Sequence, residues 1–283
     1  MRVAFTKMHA AGNDFLVLDA RSGAPVPTRT QLLQLAHRRT GVGFDQALIL
    51  GPPKSPEATL AYRVFNSDGD EVEQCGNGAR CIAALVYRRA EPSKEPNAVR
   101  GDELLLESTA GPIRARLDER KQVLVNMGLP NFEPAALPFT ADARALAYPL
   151  QVGTQCVTIG AVSMGNPHAV IEVESVDDAP VEKLGPAIER HARFPKRVNV
   201  GFMQIVDRSH VRLRVFERGA GETLACGTGA CAAVAVGRAS GRLDENVQVS
   251  VRGGELRVNW KGAGEPVWLT GPAEISFEGY VDI

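Results

Sequence analysis

The feature that most constrains this chain is a repeated segment built around a cysteine. Cys75 lies in Glu-Val-Glu-Gln-Cys-Gly-Asn-Gly-Ala-Arg-Cys, and Cys226 lies in Gly-Glu-Thr-Leu-Ala-Cys-Gly-Thr-Gly-Ala-Cys. In both copies an apolar, helix-forming stretch follows. Each cysteine is therefore predicted at the N-terminus of a buried helix, where unpaired backbone N–H groups and the helix dipole favour anions such as a thiolate or a carboxylate.

The similarity extends well beyond the two cysteines. Arg-Val-Phe begins twelve residues before each of them, at 63 and at 214, which gives the same offset of 151 as Cys75 and Cys226. Asn13 and Asn166 lie in similar segments 153 residues apart, and 42–44 resembles 200–202 at an offset of 158. A collinear repeat of this length predicts two homologous halves that meet face to face.

The predicted fold class is α+β, because short apolar strands dominate and helices are few. We expect two pseudo-symmetric domains, each a mostly antiparallel sheet or barrel wrapped around a central helix, with the active site in the cleft between them. The domains are predicted at 1–128 and 129–283, with the last residues returning to the N-terminal half. Residues 91–103 are expected to form an exposed loop and 129–138 the crossing between domains.

The predicted helices span 30–38, 78–89, 181–193 and 229–238. Caps and glycine positions guide these bounds. The predicted strands span 15–19, 46–50, 60–65, 104–107, 123–127, 169–173, 200–206, 211–216, 247–251, 256–260 and 267–270.

Composition narrows the class of protein. A net charge of −1 with dispersed Lys and Arg favours neither nucleic acid nor a membrane as partner, and no apolar run reaches membrane-spanning length. We therefore expect a cytoplasmic enzyme. Five cysteines, an odd number, argue against a disulfide framework. Cys81, Cys156 and Cys231 are expected to be small core residues.

Two thiols at helix N-termini suit inversion of a carbon stereocentre, in which one group removes a proton from one face and a second delivers a proton to the other. The chain has no dinucleotide-binding glycine fingerprint and no phosphate-binding Gly-Lys-Ser/Thr loop. Zinc is not expected, because Cys75 to Cys81 and Cys226 to Cys231 have spacings of six and five and no paired His follows. We predict no metal and no cofactor.

Several ordered blocks of the sequence resemble diaminopimelate epimerases. The blocks are Lys-Met-His-Ala-Ala-Gly-Asn-Asp-Phe at 7–15, Gly-Phe-Asp-Gln at 43–46, Asn-Ser-Asp-Gly at 66–69, Cys-Gly-Asn-Gly at 75–78, Gly-Asn-Pro-His at 165–168, Arg-Val-Asn-Val at 197–200, Phe-Glu-Arg-Gly at 216–219 and Cys-Gly-Thr-Gly at 226–229. Together they span most of the chain. One departure is Ala10-Ala11, which stands where the family usually has Gly-Leu.

The resemblance implies cofactor-independent interconversion of LL- and meso-diaminopimelate, in lysine and peptidoglycan precursor synthesis, by a homodimer. Cys75 and Cys226 would be the acid/base pair, and His168 and Glu217 would set their ionisation. The implied substrate-binding residues are Asn13, Gln46, Asn66, Gly76, Asn77, Asn166, Asn199, Glu217, Arg218, Gly227 and Thr228.

The residue types fit a substrate with ammonium and carboxylate groups at both ends. Asn and Gln amides can donate to carboxylates and accept from ammonium groups, and Arg218 can hold a distal carboxylate with its two-pronged guanidinium. Backbone N–H groups at 76–77 and 227–228 can hold the reacting carboxylate, where charge grows as the proton leaves.

Two alternatives remain at this stage. A proline or hydroxyproline racemase would also pair two cysteines, although the set of amides with Glu217 and Arg218 favours a longer substrate with a second charged end. A dithiol redox protein is the alternative from another class. It would normally keep its cysteines close together as Cys-x-x-Cys, whereas these lie 151 residues apart.

Overall fold

The computed structural model describes residues 1–72, 75–90, 103–118, 120 and 122–283. The expected loop at 91–103 lies outside the described residues except for its last position. The chain forms two compact units, Met1–Val125 with Gly271–Ile283, and Asn126–Thr270. Within the described part of the chain, no helix is both long and apolar enough to cross a membrane.

The first unit is built mainly from strands. Its elements are β1 (Arg2–Ala10), β2 (Asn13–Asp19), α1 (Arg29–Ala36), β3 (Gln46–Gly51), β4 (Leu60–Asn66), β5 (Glu71–Val72), α2 (Gly76–Ala90), β6 (Glu103–Ser108), β7 (Gly111–Leu117), β8 (Val123–Asn126, which ends just past the unit limit) and, from the end of the chain, β18 (Glu274–Asp282). Helix α1 begins at a capping box in which Thr28 and Gln31 satisfy each other's backbone N–H groups. Helix α2 contacts β1, β2, β7 and β18 and buries its alanine-rich face.

The second unit has a similar composition of elements. They are β9 (Tyr148–Val152), β10 (Gln155–Ser163), β11 (Pro167–Glu172), α3 (Val181–Glu189), β12 (Asn199–Asp207), β13 (His210–Glu217), β14 (Gly221–Thr223), α4 (Gly227–Ala239), β15 (Asn246–Val251), β16 (Gly254–Asn259) and β17 (Trp268–Thr270). Every residue of α4 from Gly229 to Ala235 is buried, and the helix contacts β10 to β13, β16 and β17. The small side chains of this helix let the strands approach it closely.

The strand pairing repeats from one unit to the other. In the first unit β1–β2, β3–β4 and β6–β7 are antiparallel, whereas β2–β3 and β4–β6 are parallel. In the second unit β10–β11, β12–β13 and β15–β16 are antiparallel, whereas β11–β12 and β13–β15 are parallel. The short strands β5 and β14 pair with β4 and β13 in the same way. Two units with this shared plan, and four α-helices among the residues that the structure describes, confirm the α+β class.

One predicted equivalence is wrong. Residues 42–44 precede β3, whereas 200–202 lie inside β12, so the two tripeptides do not occupy corresponding places. Strand pairing gives the correct alignment, because Phe15 pairs with Gln46 and His168 pairs with Asn199. Phe15 and His168 are 153 residues apart, as are Gln46 and Asn199, which is the offset that relates Asn13 to Asn166.

The predicted elements are present, with shifted ends. Helices α2 and α4 begin directly after the cysteines, two residues earlier than predicted, and α3 ends at Glu189 rather than at residue 193. The strands β1, β5, β7, β9, β10, β14 and β18 were not predicted. Residues 129–138 belong to the second unit, where Asn131 exchanges backbone hydrogen bonds with Ser163 and Leu137 is fully buried.

Candidate active site

The first group of predicted site residues surrounds Cys75. We call Asn13, Gln46, Asn66, Cys75, Gly76 and Asn77 the Cys75 cluster. Asn13 starts β2, Gln46 starts β3, Asn66 ends β4, and the last three form the start of α2. Because β2 and β3 are parallel and β3 and β4 are antiparallel, all these strand ends lie at one edge of the sheet.

Amide groups dominate the Cys75 cluster. The Asn13 Oδ1 atom lies 3.9 Å from the Cys75 sulfur and accepts a hydrogen bond from Asn77 Nδ2 at 3.4 Å. The Gly78 N–H, in the first turn of α2, donates to the same sulfur at 3.4 Å. Gln46 Nε2 donates to Asn66 Oδ1 at 2.9 Å. The Cys75 sulfur therefore lies between the Asn13 amide oxygen and the first N–H groups of helix α2.

Two buried amide oxygens in this cluster are unsatisfied. Gln46 Oε1 and Asn77 Oδ1 have no hydrogen-bond partner among the described residues. A buried acceptor without a donor costs free energy, so such atoms are frequently the places where a ligand donates. An ammonium group, with three donors and no acceptor, is the natural complement.

The turn before Asn13 shows how the Ala10-Ala11 departure is accommodated. Ala10 pairs with Asn13, which leaves a two-residue turn in which Ala11 has φ 51° and Gly12 has φ 84°. Two consecutive positive φ values are the requirement of the tight hairpin turn that matches strand twist. Alanine adopts this conformation at a cost, but the turn keeps its shape and Asn13 keeps its place.

The second group of predicted site residues surrounds Cys226. We call Asn166, His168, Asn199, Glu217, Arg218, Cys226, Gly227 and Thr228 the Cys226 cluster. The Cys226 sulfur lies 3.1 Å from Glu217 Oε2 and 3.5 Å from Thr228 Oγ1. Glu217 Oε1 also accepts from the Thr223 hydroxyl at 2.5 Å. A thiol that donates to a carboxylate must carry its proton, since a thiolate at this distance would repel it.

The electrostatics of Cys226 agree with that geometry. Its side chain is only 4% exposed. Burial, followed by the negative charge of Glu217, raises the pKa of the Cys226 thiol well above its ordinary value. The helix N-terminus predicted a thiolate-stabilising position, but here burial and the neighbouring carboxylate prevail. Cys226 is therefore a protonated thiol near neutral pH.

His168 is the terminus of a short hydrogen-bond chain. Its Nε2 lies 3.0 Å from Asn166 Oδ1, and Asn166 Nδ2 donates to Thr228 Oγ1 at 3.3 Å. Because the amide oxygen can only accept, His168 Nε2 carries the hydrogen. Burial, with a smaller effect from the charge of Arg218, lowers the pKa of His168 to about 3. The imidazole is thus neutral near pH 7 and reaches Cys226 through Asn166 and Thr228.

Arg218 and Asn199 are joined to each other. Asn199 Oδ1 accepts from the Arg218 backbone N–H at 2.9 Å, and Asn199 Nδ2 donates to the Pro167 carbonyl at 3.1 Å. The Arg218 side chain is exposed and its Nη1 donates to the Lys196 carbonyl at 3.3 Å. A guanidinium with most of its donors facing solvent can take a carboxylate from a ligand.

Four residues near the clusters were not predicted as functional. Asp45 holds the Asn13 amide, Lys7 pairs with Asp14 beside it, Thr223 holds Glu217, and the buried carboxylate of Glu189 accepts from the Gly219 N–H at 2.8 Å. Glu189 is also within 3.6 Å of Arg197 and 3.3 Å of Arg190. A charged residue at an otherwise buried position was the available signal, because ionised side chains are rarely buried without partners.

The remaining cysteines divide between core and surface. Cys81 and Cys231 are fully buried in α2 and α4, and burial raises the pKa of the Cys81 thiol. The prediction that Cys156 is a core residue is wrong, because it lies exposed on β10. All five cysteines are thiols outside any disulfide.

Comparison with known proteins identifies the family. The sequence profile of diaminopimelate epimerase matches residues 5–133 and 160–276. The chain belongs to the diaminopimelate epimerase family. It is thereby an isomerase, and both the Cys75 and Cys226 clusters lie within the matched residues.

Individual relatives agree across the full length. The chain is 51% identical to a diaminopimelate epimerase of Nitrosomonas europaea over 283 residues, covering 100% of both chains. It is 52% identical to one of Alkalilimnicola ehrlichii over 281 residues, covering 99% of both.

Solved structures share the fold at low sequence identity. A hydroxyproline epimerase of Agrobacterium vitis with bound trans-4-hydroxy-L-proline matches with TM-score 0.68 and 18% identity, over 99% of this chain and 92% of the other. A protein of the PhzF phenazine biosynthesis family from Bacillus anthracis matches with TM-score 0.68 and 17% identity over all of both chains. At these identities the likeness establishes the fold alone.

Proposed function

We propose that this chain interconverts LL- and meso-2,6-diaminopimelate by a two-cysteine acid/base mechanism without a cofactor. The observation that carries the proposal is the placement of Cys75 and Cys226 directly before corresponding helices of two repeated units, each within a set of polar groups suited to an amino acid. Two acid/base groups of one kind suit an inversion that must run in both directions, and a repeated fold supplies them.

The different surroundings of the thiols suggest their resting roles. Cys226 begins as the acid, because its proton is shared with Glu217. Cys75, whose sulfur accepts the Gly78 N–H and faces the Asn13 oxygen at 3.9 Å, is the base for the epimer whose α-proton faces it, and it reacts through the fraction of molecules in which it is a thiolate. As Cys75 takes the α-proton, the C–H electron pair moves into the carboxylate, and carbon then takes the proton of Cys226 on its other face. The cysteines end with exchanged protonation, ready for the reverse direction.

The polar groups of the clusters account for binding. The α-carboxylate would accept from the first N–H groups of α2 and α4, at Gly76, Asn77, Gly227 and Thr228, where its growing charge is stabilised. The buried oxygens of Gln46 and Asn77 offer places for ammonium donors. Arg218 would hold the distal carboxylate, with Asn199 fixing the backbone of its turn. Asn66 and Asn166 complete the set of amides.

The proposal extends to the setting of the enzyme. We expect it in the cytoplasm, in lysine and peptidoglycan precursor synthesis, as a homodimer. Strand β18 carries Tyr280, an aromatic side chain that is 64% exposed and that we take as the test position for self-association. In sedimentation equilibrium the wild-type protein should be a dimer, and Tyr280→Lys should form a weaker dimer. A monomeric wild-type protein would contradict the proposed homodimer.

Exchange of the α-proton in D2O tests the proposed function. Reduced protein should incorporate deuterium into LL-diaminopimelate, followed by NMR, with no added pyridoxal phosphate and with no change after dialysis against EDTA. L-proline should remain unlabelled. Labelling of proline alone would favour the racemase, and activity that is lost with EDTA and returns with metal would overturn the cofactor-free mechanism. Absence of exchange with either substrate would refute both.

A further inference from the structure

Asp45, at the bend that leads into β3, is the acceptor for several donors beside the Cys75 cluster. Its Oδ2 atom accepts from Asn13 Nδ2 at 3.0 Å and from the Asp14 backbone N–H at 3.1 Å. Its Oδ1 atom accepts from Arg38 Nη2 at 2.6 Å. Neither of its oxygens has a donor role, because an ionised carboxylate only accepts.

That acceptor decides which way the Asn13 amide faces. The oxygen and the nitrogen of an asparagine amide occupy nearly the same volume, so only hydrogen-bond partners distinguish the two orientations. With the nitrogen held by Asp45, the oxygen must face the opposite side. There it meets Asn77 Nδ2 at 3.4 Å and the Cys75 sulfur at 3.9 Å.

Asp45 is itself held in place by a network of ionised side chains. Arg38 joins the two carboxylates, donating to both oxygens of Asp14 at 2.8 and 2.9 Å as well as to Asp45. The Asp45 N–H donates to Asp14 Oδ1 at 2.9 Å. Lys7, only 6% exposed, binds Asp14 Oδ2 at 2.6 Å and the Gly43 carbonyl.

The ion pair between Asp14 and Arg38 anchors this network. Burial alone would raise the pKa of Asp14, but hydrogen bonds from Arg38 and Lys7 outweigh it and keep that pKa below its usual value. Asp14 therefore stays ionised, and Arg38 remains fixed against Asp45. The orientation of Asn13 therefore follows from a carboxylate placed 32 residues away in the sequence.

We propose that Asp45 is a positioning residue that fixes the Asn13 amide so that its oxygen, and not its nitrogen, faces the Cys75 sulfur. An oxygen there can accept the S–H of Cys75 once this residue has taken a proton, whereas a nitrogen would favour the thiolate. The inference rests on the proposed function only in that Cys75 exchanges a proton with substrate.

Asp45→Ala tests the proposal through the reactivity of Cys75. Without Asp45 the amide can turn and donate to the sulfur, which increases the thiolate fraction. Iodoacetamide should then label Cys75 roughly threefold to tenfold faster at pH 7, since the thiolate is the nucleophile and a hydrogen bond to a charged group is worth about a tenfold change. Labelling is measured for each cysteine by peptide mass spectrometry over a range of pH. The exposed Cys156 serves as an internal reference.

A matched control separates this role from a general effect of losing an aspartate. Asp19, at the other end of β2, also pairs with an arginine, since Arg21 donates to both of its oxygens at 2.9 and 2.7 Å. Asp19→Ala should leave Cys75 labelling at the wild-type rate. If Asp45→Ala does not fold by circular dichroism, Asp45→Asn replaces it, because its amide can donate to Asn13 and equally permits the turned orientation.

A double-mutant cycle shows whether Asp45 acts through Asn13. In an Asn13→Ala background, removing Asp45 should have no further effect on Cys75 labelling. An equal acceleration in that background, or an unchanged Cys75 rate in folded Asp45→Ala, overturns the proposal. Labelling needs no substrate, so failure of wild-type protein to exchange diaminopimelate would sink the proposed function and leave this result intact.

Discussion

The Cys75 and Cys226 clusters occupy corresponding places in two units with one strand plan, yet they carry different chemistry. Phe15 corresponds to His168 and Gln46 to Asn199, as their strand registers show. At the end of the following strand, Asn66 corresponds to Glu217. The first unit thus presents amides to its cysteine, and the second adds a carboxylate and an imidazole. Backbone symmetry places the two thiols at corresponding positions, and side-chain asymmetry gives them different neighbours.

The largest expected effect comes from replacing either of the two cysteines. Cys75→Ser and Cys226→Ser should each lower turnover by roughly a hundredfold or more in both directions, because a general acid/base is lost and an alcohol is too weak an acid to replace it. Steady-state kinetics in both directions, with circular dichroism as the fold control, checks this. A variant that keeps more than about a tenth of wild-type turnover would rule out its cysteine as essential.

Glu217→Gln would sharpen the comparison by making the second cluster resemble the first. Removal of the negative charge should lower the pKa of Cys226, which Glu217 now helps to raise, and lower kcat by roughly tenfold, the effect of losing one charged hydrogen bond. The alkylation rate of Cys226 against pH and kcat are the measurements. Glu222→Gln is the matched control, because Glu222 pairs with Arg214 on the neighbouring strand. Equal behaviour of the two variants would contradict a specific role for Glu217.

His168 introduces a pH dependence that Phe15, its apolar counterpart, cannot have. Its pKa is lowered from 6.5 to about 3 by burial, so the unfolded chain binds the proton more readily. Stability from the neutral imidazole is complete above pH 6.5 and is lost as pH falls towards 3, by at most about 1.4 kcal/mol per pH unit. Urea unfolding at pH 7 and pH 5 should show a smaller loss for His168→Gln than for wild type. An identical loss would exclude His168 as the source.

The smallest expected effect concerns Gly78 and Gly229, each of which lies three residues after its cysteine. A Cβ on Gly229 would lie 3.0 Å from Val215 Cγ2 and 3.3 Å from the Cys226 sulfur, whereas one on Gly78 would meet only the mobile end of Leu48 at 2.9 Å and Cys75 Cβ at 3.5 Å. Gly229→Ala should therefore lower kcat severalfold. Gly78→Ala should change kcat little, and either variant should alter stability by no more than about 1 kcal/mol. A larger loss of kcat in Gly78→Ala than in Gly229→Ala would show that side chains pack more tightly around Cys75 than around Cys226.

The sequence allowed the helices beside the cysteines to be predicted within two residues, because glycine and alanine patterns are local signals. The offset of 158 failed because a three-residue match cannot distinguish a strand from the bend before one. The strands that were missed include β1 and β10, in which polar residues or glycine interrupt the apolar pattern, at Thr6 and Lys7 in β1 and at Thr158 and Gly160 in β10. Interrupted patterns of this kind are ambiguous without their partner strands.

The residues of the Cys75 and Cys226 clusters were predicted from the sequence, but the groups that orient them were not. Asp45 reaches Asn13 only because β2 and β3 pair in parallel, and Glu189 reaches Gly219 from the end of α3 across 30 residues of sequence. Local patterns do not report such pairings. The resemblance named Glu217 as a residue that sets the ionisation of the cysteines, but the contact with Cys226 and the direction of its effect on that thiol's pKa came from the structure.

The pairing of β1 with β18 has a consequence for folding. It joins the two ends of the chain, from Arg2 opposite Asp282 to His9 opposite Glu274. Strands so far apart in sequence pair slowly, because a long loop must close first, whereas the strands of the second unit all lie within 126–270. Until β18 pairs, one edge of β1 is open, and an open edge is where strands of other chains can add. The first strand of the chain is therefore the place where a partly folded molecule is most exposed to misassembly.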